Sequence, residues 1–132
     1  MPVPEYDLDS LHFEKSKKVA ITTTEKPLLI IAGPGSGKTM TLVERIVFLI
    51  AANGIPSESI MISTFTEKAA KELLTRVSKR VLELGLDVNL HEMYIGTLHS
   101  IFLRFLEENR EFTRLKKNYH LDEYFDRAPY WI

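Results

Sequence analysis

Apolar side chains recur with helical spacing along three stretches of this chain. In each stretch the apolar residues recur every three or four positions, some of them as adjacent pairs, which places them on one face of a helix. Another helix, the first in chain order, is predicted over residues 11–21. Gly54 is expected to end the helix that contains Leu42 to Ile50, and Gly85 the helix that contains Ala70 to Val81. The three apolar faces are formed by Leu42, Val43, Ile46, Val47 and Ile50, by Ala70, Leu73, Leu74, Val77 and Val81, and by Leu98, Ile101, Phe102, Phe105 and Leu106.

Short apolar runs between these helices predict strands at residues 28–31, 59–65 and 91–97. Strands that alternate with helices form a parallel sheet with right-handed crossovers. The predicted fold class is therefore α/β, with a parallel sheet flanked by helices. The segments that follow the strands should line one edge of the sheet, where ligands bind in such folds.

The first predicted strand runs into a loop that is rich in glycine. Glycine lets the backbone curl so that its N–H groups converge on a phosphate, and a helix that starts there directs its positive end at the same anion. Lys38 suits the β- and γ-phosphates, and the Thr39 hydroxyl suits Mg²⁺. The pattern predicts a phosphate-binding loop (P-loop) in which Ala32 stands where the first glycine is usual. The predicted loop comprises Ala32, Gly33, Pro34, Gly35, Ser36, Gly37, Lys38 and Thr39.

Composition limits the remaining possibilities. The 132 residues form one domain or part of one, without cysteine and with four histidines that lack metal-binding spacing. No apolar run is long enough for a membrane helix, and the first residues do not resemble a signal peptide, so a cytoplasmic protein is expected. The net charge is −1. On charge alone, the lysines and arginines of residues 68–80 indicate a solvated helix face, with an ion pair between Glu72 and Arg76.

Three blocks of sequence resemble superfamily I helicases of the UvrD/Rep type. Residues 32–39 (AGPGSGKT) are similar to motif I of that family, and residues 64–76 (TFTEKAAKELLTR) are similar to its motif Ia. Residues 96–100 (GTLHS) are similar to the motif that follows, with Leu98 in place of the usual Phe. The resemblance covers roughly residues 17–105.

The resemblance implies a P-loop NTPase of the RecA-like fold that binds ATP and Mg²⁺ and moves 3′ to 5′ along single-stranded DNA. Lys38 would be its catalytic lysine, and Thr39 its Mg²⁺ ligand. The residues implied on the DNA track are Phe65, Thr66, Lys68, Thr97 and His99. Two of them have other readings from the sequence. Phe65 can equally be a core residue at a strand end, and His99 a helix cap or core residue. Arg76 is interpreted as a structural ion-pair partner.

Two departures from the family stand out. Lys17 occupies the position where the family has the glutamine that reads the adenine ring, and lysine has no acceptor for that contact. The acidic metal-binding motif is also missing. Residues 122–126 (DEYFD) resemble it superficially, but the polar stretch before them does not form a buried strand, so Asp122 and Glu123 are interpreted as surface residues.

The sequence is therefore interpreted as an N-terminal helicase fragment. Residues 1–110 would belong to the RecA-like subdomain 1A and residues 111–132 to the start of 1B, with the rest of 1B and domains 2A and 2B as partners in a parent chain. The fragment alone is expected to be inactive, since phosphoryl transfer needs metal, water and arginine positioned together. A P-loop phosphotransferase and a non-catalytic nucleotide- or DNA-binding module are the alternatives.

Overall fold

The structure, a computed structural model, describes residues 6–9 and 12–113. Contacts between residues divide the chain into two units, Met1–Ile101 and Phe102–Ile132. The predicted division into residues 1–110 and 111–132 stays a prediction, and residues 122–126 lie outside the described part. Within that part the helices are α1 (Lys15–Thr22), α2 (Lys38–Ala51), α3 (Glu67–Glu83) and α4 (Leu98–Glu108), and the strands are β1 (Met61–Ser63) and β2 (Tyr94–Gly96).

The core of the first unit lies between α2 and α3. The apolar face of each helix is buried as its spacing predicted, except that Leu42 is exposed and Leu74 is half-buried. Val47 of α2 and Val77 of α3 are completely buried. Burying such a side chain stabilises a fold by about 1.5–3 kcal/mol. The pairing of these two faces is therefore the main source of stability in the first unit.

The ends of the two core helices are set by residues that the sequence identifies. Gly54 and Gly85 have φ angles of +64° and +65°, and they follow the last residues of α2 and α3. L-amino acids with a side chain rarely adopt this conformation, so both predicted helix ends are confirmed. At the start of α3, the Thr66 side chain accepts a hydrogen bond from the N–H of Ala69 at 3.1 Å, so Thr66 caps the helix.

Strands β1 and β2 pair in parallel, with Met61 opposite Tyr94 and Ser63 opposite Gly96. The prediction of a parallel pair is confirmed, but each strand has only three residues. Both strands begin later than predicted, because Ser57–Ser59 and Leu90–Glu92 form 3₁₀ turns instead. The alternation of apolar residues does not distinguish a turn that packs on the core from a strand.

The prediction of a buried strand at residues 28–31 is wrong. The four side chains are 38%, 83%, 48% and 89% exposed in chain order, and the segment has no regular structure. A parallel strand needs neighbouring strands for its hydrogen bonds and layers of side chains on both faces. Among the described residues, β1 and β2 pair only with each other. Residues 28–31 are therefore not a strand of this sheet, despite their apolar composition.

A buried carboxylate links α2, α3 and the segment before α1. Glu44 is 4% exposed and accepts hydrogen bonds from the Tyr6 hydroxyl at 2.7 Å and from Arg80 Nε at 2.5 Å. The Tyr6 ring also meets Phe48 edge-on, with 5.9 Å between the ring centroids. Burial, followed by the hydrogen bond to Glu44, raises the pKa of the Tyr6 hydroxyl well above its ordinary value. Tyr6 is therefore a neutral donor to Glu44 at neutral pH.

Candidate nucleotide and nucleic-acid site

The glycine-rich loop leads directly into α2. Gly35 and Gly37 have φ angles of +75° and +79°, in the left-handed region that favours glycine. The Ser36 hydroxyl donates to the carbonyl oxygen of Gly33 at 2.6 Å, which closes the turn. Lys38 is the first residue of α2, and the N–H of Thr41 bonds back to the carbonyl oxygen of Gly37 at 3.0 Å. The loop therefore presents the positive end of a helix beside a lysine.

A cavity of about 680 Å³ lies beside this loop. Five of the eight predicted loop residues line it, namely Ala32, Gly33, Gly35, Ser36 and Lys38. The other three, Pro34, Gly37 and Thr39, are exposed to solvent. Helix α1 contributes the other side of the cavity through Lys17 and Ala20. No heavy atom lies within 4 Å of where a Cβ would stand on Gly33 or Gly35, so this part of the loop faces open space.

A metal ion beside the loop would be coordinated by a side chain of the loop and by oxygens of a bound phosphate group. In residues 6–9 and 12–113, no group of three or more histidine, aspartate or glutamate side chains is close enough to hold a metal ion. Thr39, on the first turn of α2, exposes a hydroxyl group. A hydroxyl together with phosphate oxygens is a donor set that suits Mg²⁺, which keeps several waters in such sites.

The segments that follow β1 and β2 lie side by side. The N–H of Thr64 donates to the carbonyl oxygen of Gly96 at 2.9 Å, and the Thr97 hydroxyl donates to Glu67 Oε1 at 3.0 Å. The Ser100 N–H in turn donates to the Thr97 hydroxyl oxygen at 3.3 Å, at the start of α4. These bonds confirm the prediction that the two segments share an edge of the sheet.

The predicted DNA-contacting residues differ in how free their side chains are. Phe65 is 104% exposed, which rules out core packing for its ring. Lys68 and His99 are also exposed, so His99 is not a core residue. Thr66 uses its hydroxyl to cap α3, and Thr97 donates its hydroxyl proton to Glu67. The edge thus offers an aromatic ring, an ammonium group and an imidazole to solvent.

The turn between β2 and α4 is closely packed at Gly96. A Cβ on Gly96 would collide with the hydroxyl oxygen of Ser100, so this hydroxyl would have to rotate away. Gly96 is buried and is the last residue of β2. A side chain at position 96 would therefore disturb the Ser100 hydroxyl that lies near Glu67.

A comparison with protein families decides the relationship. The family model described as the UvrD/REP helicase N-terminal domain matches residues 13–128. The chain belongs to this family. The match includes the glycine-rich loop and both segments at the sheet edge. The resemblance inferred from the three sequence blocks is confirmed.

Individual relatives of this UvrD/REP domain agree with that assignment. The chain is similar to the ATP-dependent DNA helicase PcrA of Staphylococcus aureus, with 34% identity over 108 residues that cover 82% of this chain and 14% of PcrA. It is 37% identical to the PcrA of Bacillus subtilis over 102 residues, covering 77% of this chain and 13% of that protein. It is 36% identical to the ATP-dependent DNA helicase SRS2 of Saccharomyces cerevisiae over 107 residues, covering 81% and 9%. The chain thus spans about a seventh or less of the length of these relatives.

Two other structural observations bear on the sequence interpretation of the UvrD/REP domain. Arg76 Nη2 lies 2.9 Å from Glu72 Oε1, so the predicted ion pair on α3 is confirmed. No helix within the described residues is both long and apolar enough to cross a membrane.

Sequence reasoning missed Glu67 as part of the site in the UvrD/REP domain. The hydrogen bond from the Thr97 hydroxyl, followed by that from the Ser100 hydroxyl, lowers the pKa of the Glu67 carboxyl below its ordinary value. A carboxylate in the first turn of a helix is an ordinary helix-start signal, which hid its second role. The contact across 30 residues appears only once β1 and β2 are paired.

Replacing Thr97 by valine is expected to raise the pKa of Glu67 towards its ordinary value, because the largest cause of the lowered pKa is removed. A lowered carboxylate pKa stabilises the fold above the pKa of the unfolded state, and this contribution is lost as the pH falls through the folded-state pKa. The substitution should therefore remove a small, pH-dependent stabilisation at neutral pH, since Glu67 is exposed. An NMR titration of the Glu67 carboxyl measures the shift.

Thr75→Val is the matched control, because the Thr75 hydroxyl donates to the Lys71 carbonyl oxygen on the same helix and does not touch Glu67. An unchanged Glu67 pKa in Thr97→Val would contradict the assignment of this hydrogen bond.

Proposed function

We propose that this chain is the ATP-binding part of an ATP-dependent DNA helicase that moves along single-stranded DNA in the 3′ to 5′ direction. The observation that carries the proposal is the glycine loop with two left-handed glycines, which opens on a cavity and places Lys38 on the first turn of α2. The family assignment and the names of the relatives support the same function. The parallel pair of β1 and β2 fits a RecA-like motor domain, which we propose as the fold of the parent domain.

The nucleotide would bind through its phosphates at residues 32–39. The open space in front of Gly33 and Gly35 and the start of α2 behind them fit a phosphate chain. Lys38 would contact the β- and γ-phosphates and act as the catalytic lysine, and Thr39 would hold Mg²⁺. Bound Mg²⁺ supplies charge neutralisation at the phosphates.

Single-stranded DNA would lie along the edge formed by the ends of β1 and β2. Phe65 would stack on a base, while Lys68 and His99 would contact the backbone. Thr66 and Thr97 have hydroxyl groups already engaged at the starts of α3 and α4. We propose that these two residues position Phe65, Lys68 and His99.

The remaining machinery would come from the rest of a parent protein. Residues 1–110 would be the N-terminal part of subdomain 1A and residues 111–132 the start of 1B, with domains 2A and 2B completing the motor. The acidic metal-binding motif and an arginine finger would lie there, so the chain alone should hydrolyse ATP very slowly. DNA repair or replication is the proposed setting.

The arginines of α2, α3 and α4 do not favour a phosphotransferase with an arginine-rich lid. Arg76, Arg80 and Arg104 are each held by a carboxylate within 3.0 Å. Arg45 donates to the carbonyl oxygens of Ala20 and Ile21 at the end of α1. None of these side chains lines the cavity beside the glycine loop.

The experiment that tests the function measures ATP hydrolysis by a polypeptide that carries this domain together with the downstream helicase domains. We expect single-stranded DNA to stimulate the rate. Phe65→Ala should raise the DNA concentration for half-maximal stimulation about tenfold or more, because stacking on an aromatic side chain contributes about 1–3 kcal/mol per base. The rate without DNA should not change, since Phe65 is fully exposed and lies outside the cavity lining.

Phe65→Trp keeps a stacking surface and should preserve the response to DNA. Leu82→Ala, at an exposed apolar residue near the other end of α3, is the control for a general loss of surface. A rate that DNA does not change would sink the helicase proposal and favour the phosphotransferase or a nucleotide-binding module.

A further inference from the structure

A second lysine reaches the glycine loop from α1. If Gly37 carried a Cβ, that atom would lie 3.4 Å from Lys17 Nζ and 4.0 Å from Lys17 Cε. Lys17 also lines the cavity that Lys38 lines. The two ammonium groups therefore approach the loop from different helices, one from α1 and one from the start of α2.

The position of Lys17 is fixed by the anchoring of its helix. Ala20 and Ile21 are buried, and Arg45 Nη1 of α2 donates to their carbonyl oxygens at 2.8 and 3.3 Å. The next residue, Lys18, pairs with Asp9 at 2.7 Å. Helix α1 is thus tied to α2 at its C-terminal end, which keeps its first turn beside the loop.

The side chains that line the cavity carry more positive than negative charge. Glu14, Lys17 and Lys38 are the charged side chains that line it. Within the described residues, neither ammonium group has an ion-pair partner, whereas Lys18 beside them does. Two unpaired cations and one carboxylate suit a ligand that carries several negative charges, as a triphosphate does.

Neither Lys17 nor the apolar part of the lining distinguishes one base from another. An ammonium group has three donors and no acceptor, so Lys17 cannot pair with both a donor and an acceptor on a base edge. Ala20, Ile30, Ile31 and Leu42 form an apolar wall that any planar base can contact. The two cations of the lining, in contrast, belong to the loop end of the cavity, since Lys17 lies beside Gly37 and Lys38 follows it in the chain.

From these observations, and resting on the proposed nucleotide-binding function, we infer that Lys17 is a second phosphate-binding residue and that the site accepts nucleoside triphosphates largely without regard to the base. Lys17 and Lys38 would hold the triphosphate between α1 and α2. The specificity of the site would come from the number of phosphates.

The test is calorimetric titration of the 132-residue chain with ATP, GTP and inorganic tripolyphosphate in the presence of Mg²⁺. We expect ATP and GTP to bind within about threefold of each other. Lys17→Met, which removes the charge without introducing an amide that could read a base, should weaken all three ligands by about tenfold, the typical effect of losing a charge-assisted hydrogen bond. Lys17→Arg, which keeps the charge, should retain most of the affinity. The exposed Lys15, two residues earlier on α1 and outside the cavity lining, provides the control Lys15→Met, which should change nothing.

The outcomes separate this inference from the proposed function. Unchanged affinities in Lys17→Met, or a wild-type preference for ATP over GTP of more than about thirtyfold, would overturn the inference while leaving the function intact, provided that Lys38→Ala still abolishes binding. If no nucleotide binds the wild-type chain, both fail. A loss for ATP alone in Lys17→Met would make Lys17 a base-reading residue and would also overturn the inference.

Discussion

Replacing Arg80 by alanine is expected to lower the free energy of unfolding by about 3 kcal/mol, because it leaves the buried Glu44 carboxylate without its charged partner. Tyr6 still donates one hydrogen bond to Glu44, but a neutral hydroxyl does not compensate a buried negative charge. For a unit of this size the melting temperature should fall by more than about 10 °C. Thermal and urea denaturation followed by circular dichroism measure both quantities.

The same helix provides the control for this experiment. Arg76 lies one turn before Arg80 and pairs with Glu72 at the surface, so Arg76→Ala should cost about 0.5 kcal/mol or less. Replacing Glu44 and Arg80 together by leucine should recover most of the loss, because no unpaired charge then remains buried. A loss in Arg80→Ala no larger than in Arg76→Ala would show that Glu44 does not depend on Arg80.

The second large effect concerns the nucleotide. A ligand that binds only the folded state at about 100 times its dissociation constant stabilises the fold by about 2.7 kcal/mol. We expect ATP with Mg²⁺ to raise the melting temperature of the wild-type chain by about 10 °C accordingly. Lys38→Ala should abolish most of this rise, since Lys38 is the lysine at the start of α2 that lines the cavity.

The stability of the unliganded chain should hardly change in Lys38→Ala, because Lys38 is exposed. Lys79→Ala, at an exposed lysine of α3 outside the cavity lining, should leave the ATP-induced rise intact. An equal rise in wild type and Lys38→Ala would place nucleotide binding elsewhere in the chain.

The core helices could be predicted from the sequence because their signals are local. The spacing of apolar residues in α2 and α3, and the glycines that follow each helix, depend on neighbours within a few positions. The pair between Glu72 and Arg76 is of the same kind, one turn apart on a helix. The loop at residues 32–39 was also recognisable, because glycines, a lysine and a helix start follow each other directly.

The features that could not be predicted depend on distant parts of the chain. Glu44 stands within the apolar face of α2, and its partner Arg80 is 36 residues away. Lys17 precedes Gly37 of the loop by 20 residues, and the packing of α1 on α2 brings them together. Residues 28–31 have the composition of a buried strand, but burial is decided by neighbouring strands and not by composition.

The exposure of residues 28–31 also has a consequence for how the chain behaves in solution. The four consecutive apolar side chains are exposed to solvent, and they can contact the same segment of another molecule. A net charge of −1 provides little electrostatic repulsion between molecules. Covering these four residues would therefore be expected to reduce self-association of the chain at high concentration.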